Sequence, residues 1–311
     1  MMKKMMALSS IMALVSLYGC GNSGDSAMEA GSSGFVSILL TDAPVDDVTE
    51  VWVQFTGVEL KPQSGSPVEF VFDTPRDIDL LTLQNGTTTS LLPMTTVDTG
   101  PYEWIRLMVN AEFDGVYDSY VMTDTGEQLE LAVPSGSQSG LRLVSGFTIT
   151  QNQSTNLVID WDLRQALVNP PGRPGLYLRP ALRVTDTAVY GTLFGTVDAT
   201  LVEDADNCSN NPAENTGSAV YLYEGSVDTP GDIGDATTPP FTTATVTQNN
   251  DGFYVYSFHY LSIGTYTAAF TCQASDDVPD VDDTEEDVVF AAMGEATISE
   301  QGDDQELPFG P

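Results

Sequence analysis

Short segments in which apolar and polar residues alternate recur along most of this chain, with turn-forming residues between them. In TEVWVQFTGVEL, alternation places Val51, Val53 and Phe55 on one face of a strand, and Gly57 predicts a bulge. In YEWIRLMVNAEF, every second residue over 105–113 is again apolar. A period of two favours strands over helices, and many short strands at close spacing predict a β-sandwich or a barrel.

The same pattern continues through both halves of the chain. A hairpin is predicted at Asp124-Thr125-Gly126, where glycine supplies the positive φ of the turn. Short helical turns are predicted at 77–83 and 163–168. Further strands are predicted at 35–40, 68–72, 141–150, 156–161 and 176–184 in the first half, and at 190–201, 219–223, 242–247, 252–260, 265–272, 288–291 and 294–299 in the second.

The distribution of charge divides the chain in two. Up to Arg183 there are 21 acidic and 10 basic residues, whereas from Val184 to Pro311 there are 24 acidic residues and no Lys or Arg. A shift this sharp predicts two folding units that meet near residues 186–190. The formal net charge of −35 repels nucleic-acid phosphates, so we expect no nucleic-acid partner.

Residues 1–19 have the layout of a secretory signal peptide, in which Lys3 and Lys4 precede an apolar run too short to span a bilayer comfortably. The stretch Leu17-Tyr18-Gly19-Cys20 resembles a bacterial lipobox. The resemblance implies cleavage before Cys20, acylation of that residue, and a lipid membrane as its partner.

Residues 20–33 are rich in Ser, Gly and Ala, which is typical of a flexible tether. Gly21, and not Asp, follows the lipobox cysteine. In bacteria with two membranes this favours the outer membrane as the site of the anchor.

Six motifs occur in order over the first unit, 34–187: LLTDAPVDDVTEVWVQFTGVEL, IDLLTLQNG, TGPYEWIRLMV, LAVPSGSQSGLRLVSGFTI, LVIDWDL and LYLRPALRV. Together they resemble the bacterial lipoprotein family catalogued as domain of unknown function 4382. The resemblance implies an extracytoplasmic β domain, and it transfers no catalytic residue because the family has none assigned.

The second unit, 188–311, contains GTLFGTVDATLV, GSAVYLYEG and NNDGFYVYSFHYLSIGTYTAAF. These segments resemble the carboxypeptidase-regulatory-like and transthyretin-like sandwiches, which implies a structural or spacing module and not a peptidase. The expected fold is therefore mainly β, with two antiparallel sandwiches, immunoglobulin-like or transthyretin-like, after the signal peptide and tether.

Both units place Gly, one further residue and then Tyr at the entry to an apolar strand, at Tyr102 and Tyr266. We interpret both tyrosines as tyrosine corners, whose ring covers a turn while the hydroxyl binds backbone.

Several residues are candidates for catalysis. His259 is the only histidine, and no nucleophile motif such as G-x-S-x-G accompanies it, so we expect a surface or half-buried side chain.

Asp160 and Asp162 alternate around Trp161 and would point to one face. They could act as the acid and base of a glycoside hydrolase with Trp161 as a sugar platform, or they could cap the turn after the strand. Asp77 and Asp79 form a similar pair.

Two other segments carry open alternatives. In TDAP, Asp42 and Pro44 suit a structural turn, and with Asp46 and Asp47 they also suit a ligand or cation loop. The stripe Tyr254, Tyr256, Phe258 and Tyr260 either faces a core or stacks carbohydrate.

The loop SDDVPDVDDTEED predicts either a weak calcium site at Asp280, Asp282 and Asp283 or a solvated acidic loop. No other cofactor is expected. Lipidation of Cys20 leaves Cys208 and Cys272 as one pair in an oxidising compartment, so we predict a disulfide between them, with two separate buried thiols as the alternative.

We therefore expect an outer-membrane-anchored lipoprotein, facing the periplasm or the outside, with a non-catalytic role in binding, adhesion or envelope scaffolding. Its ligand would be a protein or a carbohydrate. The alternatives are a carbohydrate-active hydrolase that uses paired carboxylates and a calcium-dependent surface protein.

Overall fold

The structure of the chain is a computed structural model. It describes residues 32–43, 45, 47–134, 140–188, 190–203, 217–277, 279 and 288–310. From residue 32 onward, the described residues form one compact unit. The described part of the chain is mainly β, as predicted from the alternation, and its strands form several sheets with only short helical turns between them.

Two large hydrophobic cores divide the strands into two sandwiches, and a third, smaller buried cluster contains Tyr221, Tyr223 and Ala269. The first core contains buried residues from Val36 to Leu178, and the second contains buried residues from Leu193 to Phe309. The strands of the first sandwich are β1 Ser33–Ala43, β2 Val48–Pro62, β3 Val68–Asp79, β4 Thr89–Asp98, β5 Gly100–Asn110, β6 Tyr120–Thr123, β7 Gln128–Ala132, β8 Leu141–Leu143, β9 Phe147–Ile149, β10 Ser154–Asp162, β11 Leu167–Val168, β12 Leu176–Leu178 and β13 Leu182–Asp186.

The second sandwich contains β14 Tyr190–Val197, β15 Ala219–Glu224, β16 Thr242–Thr245, β17 Thr247–Gln248, β18 Tyr254–Ser262, β19 Gly264–Thr271, β20 Ala292–Ile298 and β21 Asp304–Glu306. Three short helical turns complete the described elements: a 3₁₀ turn at Leu80–Leu83, α1 Leu163–Ala166 and α2 Ala199–Val202.

Each sandwich packs two sheets face to face. In the first, a sheet of order β13-β10-β1-β4 faces one of order β11-β12-β7-β6-β2-β5-β8, where β3 also pairs with β2 and β9 with β5. In the second, the orders are β17-β18-β14-β21 and β16-β15-β19-β20. Most pairs are antiparallel, as predicted, and the pairs β1–β10, β7–β12 and β14–β21 are parallel.

The alternation of β2 sets the geometry of the long sheet. Val51, Val53 and Phe55 are fully buried, so the residues between them point away from the core. The register of β2 against both β3 and β5 shifts between Phe55 and Gly57, which confirms the predicted bulge. A side chain at Gly57 would meet the carbonyl oxygen of Phe70 on β3, so this position requires glycine.

Both tyrosine corners form as predicted. The hydroxyl of Tyr102 donates to the carbonyl oxygen of Asp98 at 3.0 Å, and that of Tyr266 donates to the carbonyl oxygen of Ser262 at 2.9 Å. In each case the acceptor lies four residues before the tyrosine, at the end of the preceding strand or its turn. The same device therefore ties one turn in each sandwich to the strand that follows.

Several predicted strands are wrong in extent. The strand expected over 141–150 is two strands, β8 and β9, and that over 176–184 is two strands, β12 and β13, on either side of Pro180. The strand expected over 190–201 ends at Val197, where Asp198 caps α2. Residues 288–291 are not a strand, while β4 and β21 are strands that local alternation did not predict.

Candidate functional site

The outer face of the long sheet carries a concave site that we call the aromatic cleft. Trp52 and Gln54 alternate with the buried residues of β2 and therefore point outward. The cleft has a volume of about 280 Å³ and is lined by Trp52, Gln54, Asp77, Tyr117, Asp118 and Tyr120. These side chains come from β2, from the end of β3 and from the start of β6 with the loop before it.

Strand register brings the two central rings together. Trp52 on β2 is paired directly with Tyr120 on β6, and their ring centroids lie 6.4 Å apart with an interplanar angle of 25°. The indole Nε1–H of Trp52 donates to Glu50 Oε2 at 2.7 Å, which fixes the orientation of the indole. Tyr117, in the loop before β6, is 48% exposed at the same site.

A chain of hydrogen-bonded amide and carboxylate groups runs from Asn110 through Gln54 to Asp77, and the last two of these residues line the cleft. The Asn110 amide on β5 donates to Gln54 Oε1 at 2.6 Å, and Gln54 Nε2 donates to Asp77 Oδ1 at 2.8 Å. The amide of Gln54 is therefore engaged through both its oxygen and its nitrogen. Because the three residues sit on three adjacent strands, the hydrogen-bonded register of the sheet holds them in place.

The electrostatic environment of the cleft is acidic. Burial raises the pKa of Tyr120, and the negative charges of Glu50, Asp79 and Asp77 raise it further. Of the described residues that line the cleft, none is basic. Tyr120 therefore remains a neutral phenol at physiological pH, and the site favours a ligand with positive charge over one with negative charge.

A second polar cluster lies where the two sandwiches meet, and it contains the carboxylates predicted as an acid–base pair. Asp160 on β10 is 6% exposed, and its Oδ2 accepts from Arg183 Nε at 2.5 Å. Arg183 also donates to the carbonyl oxygens of His259 at 2.8 Å and Tyr260 at 3.3 Å. Burial raises the pKa of Asp160, and the guanidinium of Arg183 opposes that rise.

Asp162 has a structural role of its own. Its carboxylate caps α1 by accepting from Gln165 N, and it accepts from the backbone N–H of Thr243 on β16 at 2.7 Å. Arg164, also buried, donates to Thr243 Oγ1 at 3.3 Å and to Thr245 Oγ1 at 3.2 Å.

Asp160 and Asp162 line one cavity of about 200 Å³, so alternation correctly placed them on one side of β10. The capping interpretation is correct for Asp162 and wrong for Asp160, which forms an ion pair instead. Trp161 between them is fully buried in the first core, where it contacts Phe55, so it cannot serve as a sugar platform.

Residues 33–180 match the family model described as Domain of unknown function (DUF4382). Over this segment the chain is similar to the DUF4382 family. The resemblance drawn from the six ordered motifs is thereby confirmed for the first unit. The match ends before the second sandwich, whose resemblance to carboxypeptidase-regulatory-like modules stays an expectation.

No curated protein matches the chain. Among solved structures, the Bacillus anthracis TIE protein is 13% identical with a TM-score of 0.20, and the similarity covers 89% of this chain and 33% of that chain. A leucine-rich repeat protein from Bacteroides thetaiotaomicron is 11% identical with a TM-score of 0.20, over 89% and 26% of the two chains. A candidate adhesin from Bacteroides ovatus is 9% identical with a TM-score of 0.19, over 90% and 88%.

The chain thus spans about a third of the first of these proteins and about a quarter of the second. At such low TM-scores these likenesses carry no inference about function. The aromatic cleft lies entirely within the DUF4382 domain.

The remaining predicted residues of the second sandwich are mostly structural. His259 is half-buried, as expected, and its Nε2 lies 3.1 Å from Ser257 Oγ. Burial lowers the pKa of His259, and the nearby charge of Arg183 lowers it further. In the tyrosine stripe, Tyr254, Tyr256 and Phe258 face the second core.

Tyr260 departs from the stripe. It has a φ of 55°, packs against Tyr190 with ring centroids 5.3 Å apart, and donates through its hydroxyl to the carbonyl oxygen of Gly86 in the DUF4382 domain. The expectation that all four rings face one core is therefore wrong at this last position.

The acidic pair on β3 is also structural in part. Asp79 caps the 3₁₀ turn by accepting from Leu81 N at 3.2 Å, and it accepts from Val51 N at 3.1 Å. Asp77 lies in the aromatic cleft instead.

Some predictions fall outside the described residues. These are lipidation of Cys20, the calcium site at Asp280, Asp282 and Asp283, and the Cys208 end of the disulfide, as well as Pro44, Asp46 and the side chain of Asp42 in TDAP. Cys272, the other cysteine of the predicted pair, is buried just after β19.

Within the described ranges, no three His, Cys, Asp or Glu side chains are grouped as a metal site would require. In the same ranges, no helix is long and apolar enough to cross a membrane.

The aromatic cleft was not predicted from the sequence. The available signal was the outward position of Trp52, which follows from the inward positions of Val51 and Val53. Its partners Asp77 and Tyr120 are distant in sequence and meet it only through the register of three strands.

Proposed function

We propose that this chain is a non-catalytic binding protein of the bacterial cell envelope, anchored to the outer membrane through acylated Cys20. The observation that carries the binding role is the aromatic cleft, a solvent-open concavity with two oriented rings and fixed polar groups. Pockets with aromatic walls and a few positioned polar groups are the usual form of a small-ligand site.

The non-catalytic part of the proposal is supported by the state of the candidate carboxylates. A retaining or inverting glycosidase needs one carboxylic acid to donate a proton and a second carboxylate to attack or to activate water. Asp162 is committed to four hydrogen bonds from Gln165 and Thr243, and Asp160 to its ion pair with Arg183. Neither carboxylate has the freedom to turn toward a substrate.

Binding can be tested with the acyl-free protein, residues 21–311, immobilised and exposed to the low-molecular-mass fraction of an envelope extract. A bound component should be retained by the wild type and lost with Trp52→Ala. Trp104→Ala is the matched control, because Trp104 is a partly exposed tryptophan on the same sheet outside the cleft. Equal retention by all three proteins, or none by any, contradicts a binding role for the cleft.

The anchor can be tested separately in the bacterium. Palmitate label should enter the wild type and not Cys20→Ser, and the wild type should fractionate with outer membranes. Label that persists in Cys20→Ser rules out the proposed anchor, and fractionation with inner membranes rules out the proposed location.

A further inference from the structure

We propose that the aromatic cleft binds an organic ammonium ion, in particular a quaternary ammonium group such as trimethylammonium. This inference rests on the proposed binding function and names the chemical class of the ligand.

The first ground is the kind of surface that lines the cleft. An organic cation is attracted to the faces of aromatic rings, most strongly to tryptophan and then to tyrosine. The cleft brings together Trp52, Tyr117 and Tyr120, and the indole is oriented by its bond to Glu50. Its volume of about 280 Å³ suits a head group of a few heavy atoms and is at the small end for a larger ligand.

The second ground is charge. Asp77 and Asp118 line the cleft, and the negative charges of Glu50 and Asp79 are close enough to raise the pKa of Tyr120. The neighbouring base, Arg76, is directed elsewhere: its guanidinium donates to the carbonyl oxygens of Ser90 and Leu91 and lies 4.2 Å from the centre of the Phe72 ring. The field in the cleft therefore attracts cations and repels anions, in keeping with a formal net charge of −35 for the chain.

The third ground distinguishes an ammonium group from a saccharide. A saccharide needs several hydrogen-bonding groups free to meet its hydroxyls, because burying unpaired hydroxyls is costly. In this cleft the amide of Gln54 already accepts from Asn110 and donates to Asp77, and the indole N–H of Trp52 already donates to Glu50. A quaternary ammonium has no N–H to satisfy, so it can bind without disrupting these bonds.

The fourth ground distinguishes an organic cation from a metal ion. A hard divalent cation takes six or more oxygen ligands, and the aromatic walls of this cleft supply none of them. Among the described residues, the carboxylates here are not grouped as a metal site would require. A large, weakly hydrated cation matches rings and dispersed carboxylates better than a small ion does.

The direct test is calorimetric titration of residues 21–311 with tetramethylammonium chloride, with sodium chloride reduced in step so that ionic strength stays constant. Saturable binding is expected. tert-Butanol, an uncharged molecule of similar size, should bind at least tenfold more weakly. Equal binding of the two probes, or no saturable heat with the cation, overturns the proposal.

Variants locate the site. Trp52→Leu should weaken binding by about tenfold, and Trp52→Phe should lie between it and the wild type, because phenylalanine keeps a weaker ring. Asp118→Asn, an exposed substitution that leaves the core intact, should weaken binding severalfold. Trp104→Leu should bind as the wild type does. Binding that is indifferent to all the substitutions at Trp52 and Asp118 places the cation elsewhere and refutes the assignment.

Trimethylammonium groups occur on soluble solutes and on lipid head groups. Co-sedimentation with phosphatidylcholine vesicles, compared with phosphatidylglycerol vesicles, separates the two sources: specific co-sedimentation assigns a lipid, and binding of free choline alone assigns a solute. If tetramethylammonium fails to bind while an envelope component is still retained through Trp52, the assignment of an ammonium ligand is refuted, and the proposed binding function is still supported.

Discussion

Replacing Arg183 by methionine should remove one of the polar connections between the two sandwiches. Methionine keeps an apolar stem but loses the guanidinium that contacts Asp160 and the carbonyl oxygens of His259 and Tyr260. The side chains of Arg183 and Asp160 are 12% and 8% exposed, so the pair is largely shielded from water. Removing one partner of a buried ion pair costs about 3–5 kcal/mol, because the other charge is left unpaired.

We expect the free energy of unfolding to fall by about 3 kcal/mol, the lower end of this range, since the cavity beside Asp160 can admit water. At a denaturant dependence of about 3 kcal/mol per molar urea, this lowers the unfolding midpoint by about 1 M. Urea unfolding at pH 7, followed by circular dichroism and by tryptophan fluorescence, measures the shift. Arg142→Met is the matched control: Arg142 is exposed and lies over the Trp104 ring, so its loss should cost less than about 1 kcal/mol.

The double variant Asp160→Asn with Arg183→Met provides the decisive comparison. If the cost of Arg183→Met comes from an unpaired buried carboxylate, removing that charge should recover part of the loss. A double variant no more stable than Arg183→Met, or a single variant within about 1 kcal/mol of the wild type, would refute the reasoning.

The pH dependence follows with a definite sign. Burial raises the pKa of folded Asp160, so ionisation of this group opposes folding. That unfavourable contribution is absent below the unfolded pKa of about 3.9 and develops as the pH rises through the folded pKa. Without Arg183, nothing offsets the cost of ionising Asp160 in the folded state. The difference in free energy of unfolding between Arg183→Met and the wild type should therefore narrow as the pH falls toward 4.

Three further predictions concern single elements. Tyr266→Phe should lower stability by about 1 kcal/mol in thermal unfolding, because the carbonyl oxygen of Ser262 loses its partner, and an unchanged melting temperature would contradict the corner. Gly57→Ala should cost about 1–3 kcal/mol, since a methyl group there meets the Phe70 carbonyl on β3. Gly264→Ala is the control, because the φ of Gly264 is not positive and the nearest atoms to a methyl group there lie 3.8 Å away. Asp303→Asn should lower the melting temperature at neutral pH. Hydrogen bonds to its carboxylate, above all from the backbone N–H of Ser299, hold the pKa of Asp303 below its ordinary value. The melting temperatures of the variant and the wild type, plotted against pH, should therefore converge as the pH falls through that pKa, and parallel curves would exclude the effect.

The local pattern was enough to predict strand type and the direction of side chains. Val51, Val53 and Phe55 are buried as alternation required, and the bulge and both tyrosine corners follow from glycine and tyrosine at fixed spacings. These features depend on a few adjacent residues, so a single segment contains the information that specifies them.

The failures have a different physical origin. β4 contains the adjacent pair Leu91 and Leu92 and then Pro93, which breaks the alternation and removes a donor; it is tolerated because β4 is an edge strand. β21 is only three polar residues, and it is held beside β14 because Phe309, three positions later, enters the second core. Both strands are defined by tertiary contacts and not by their own composition.

The candidate site was hidden for the same reason. Trp52 meets Tyr120 and Asp77 only when β3, β2 and β6 are in register, and Arg183 meets the His259 carbonyl across 76 positions. Pairings over such distances depend on topology, and a local reading of residue types does not contain them.

Both arginines at the junction belong to the first sandwich, and this limits how the two sandwiches can recombine between genes. From Val184 onward the chain has no Lys or Arg, yet Arg183 reaches backbone carbonyls of β18 and Arg164 reaches Thr243 and Thr245 of β16. Recombination that copied only the second sandwich into another gene would leave Arg164 and Arg183 behind. The transferred sandwich would then keep the carbonyl and hydroxyl oxygens that accept from these arginines but would lack the arginines themselves. The two sandwiches should therefore be exchanged between genes as a pair, or the recipient must supply two arginines at matching positions.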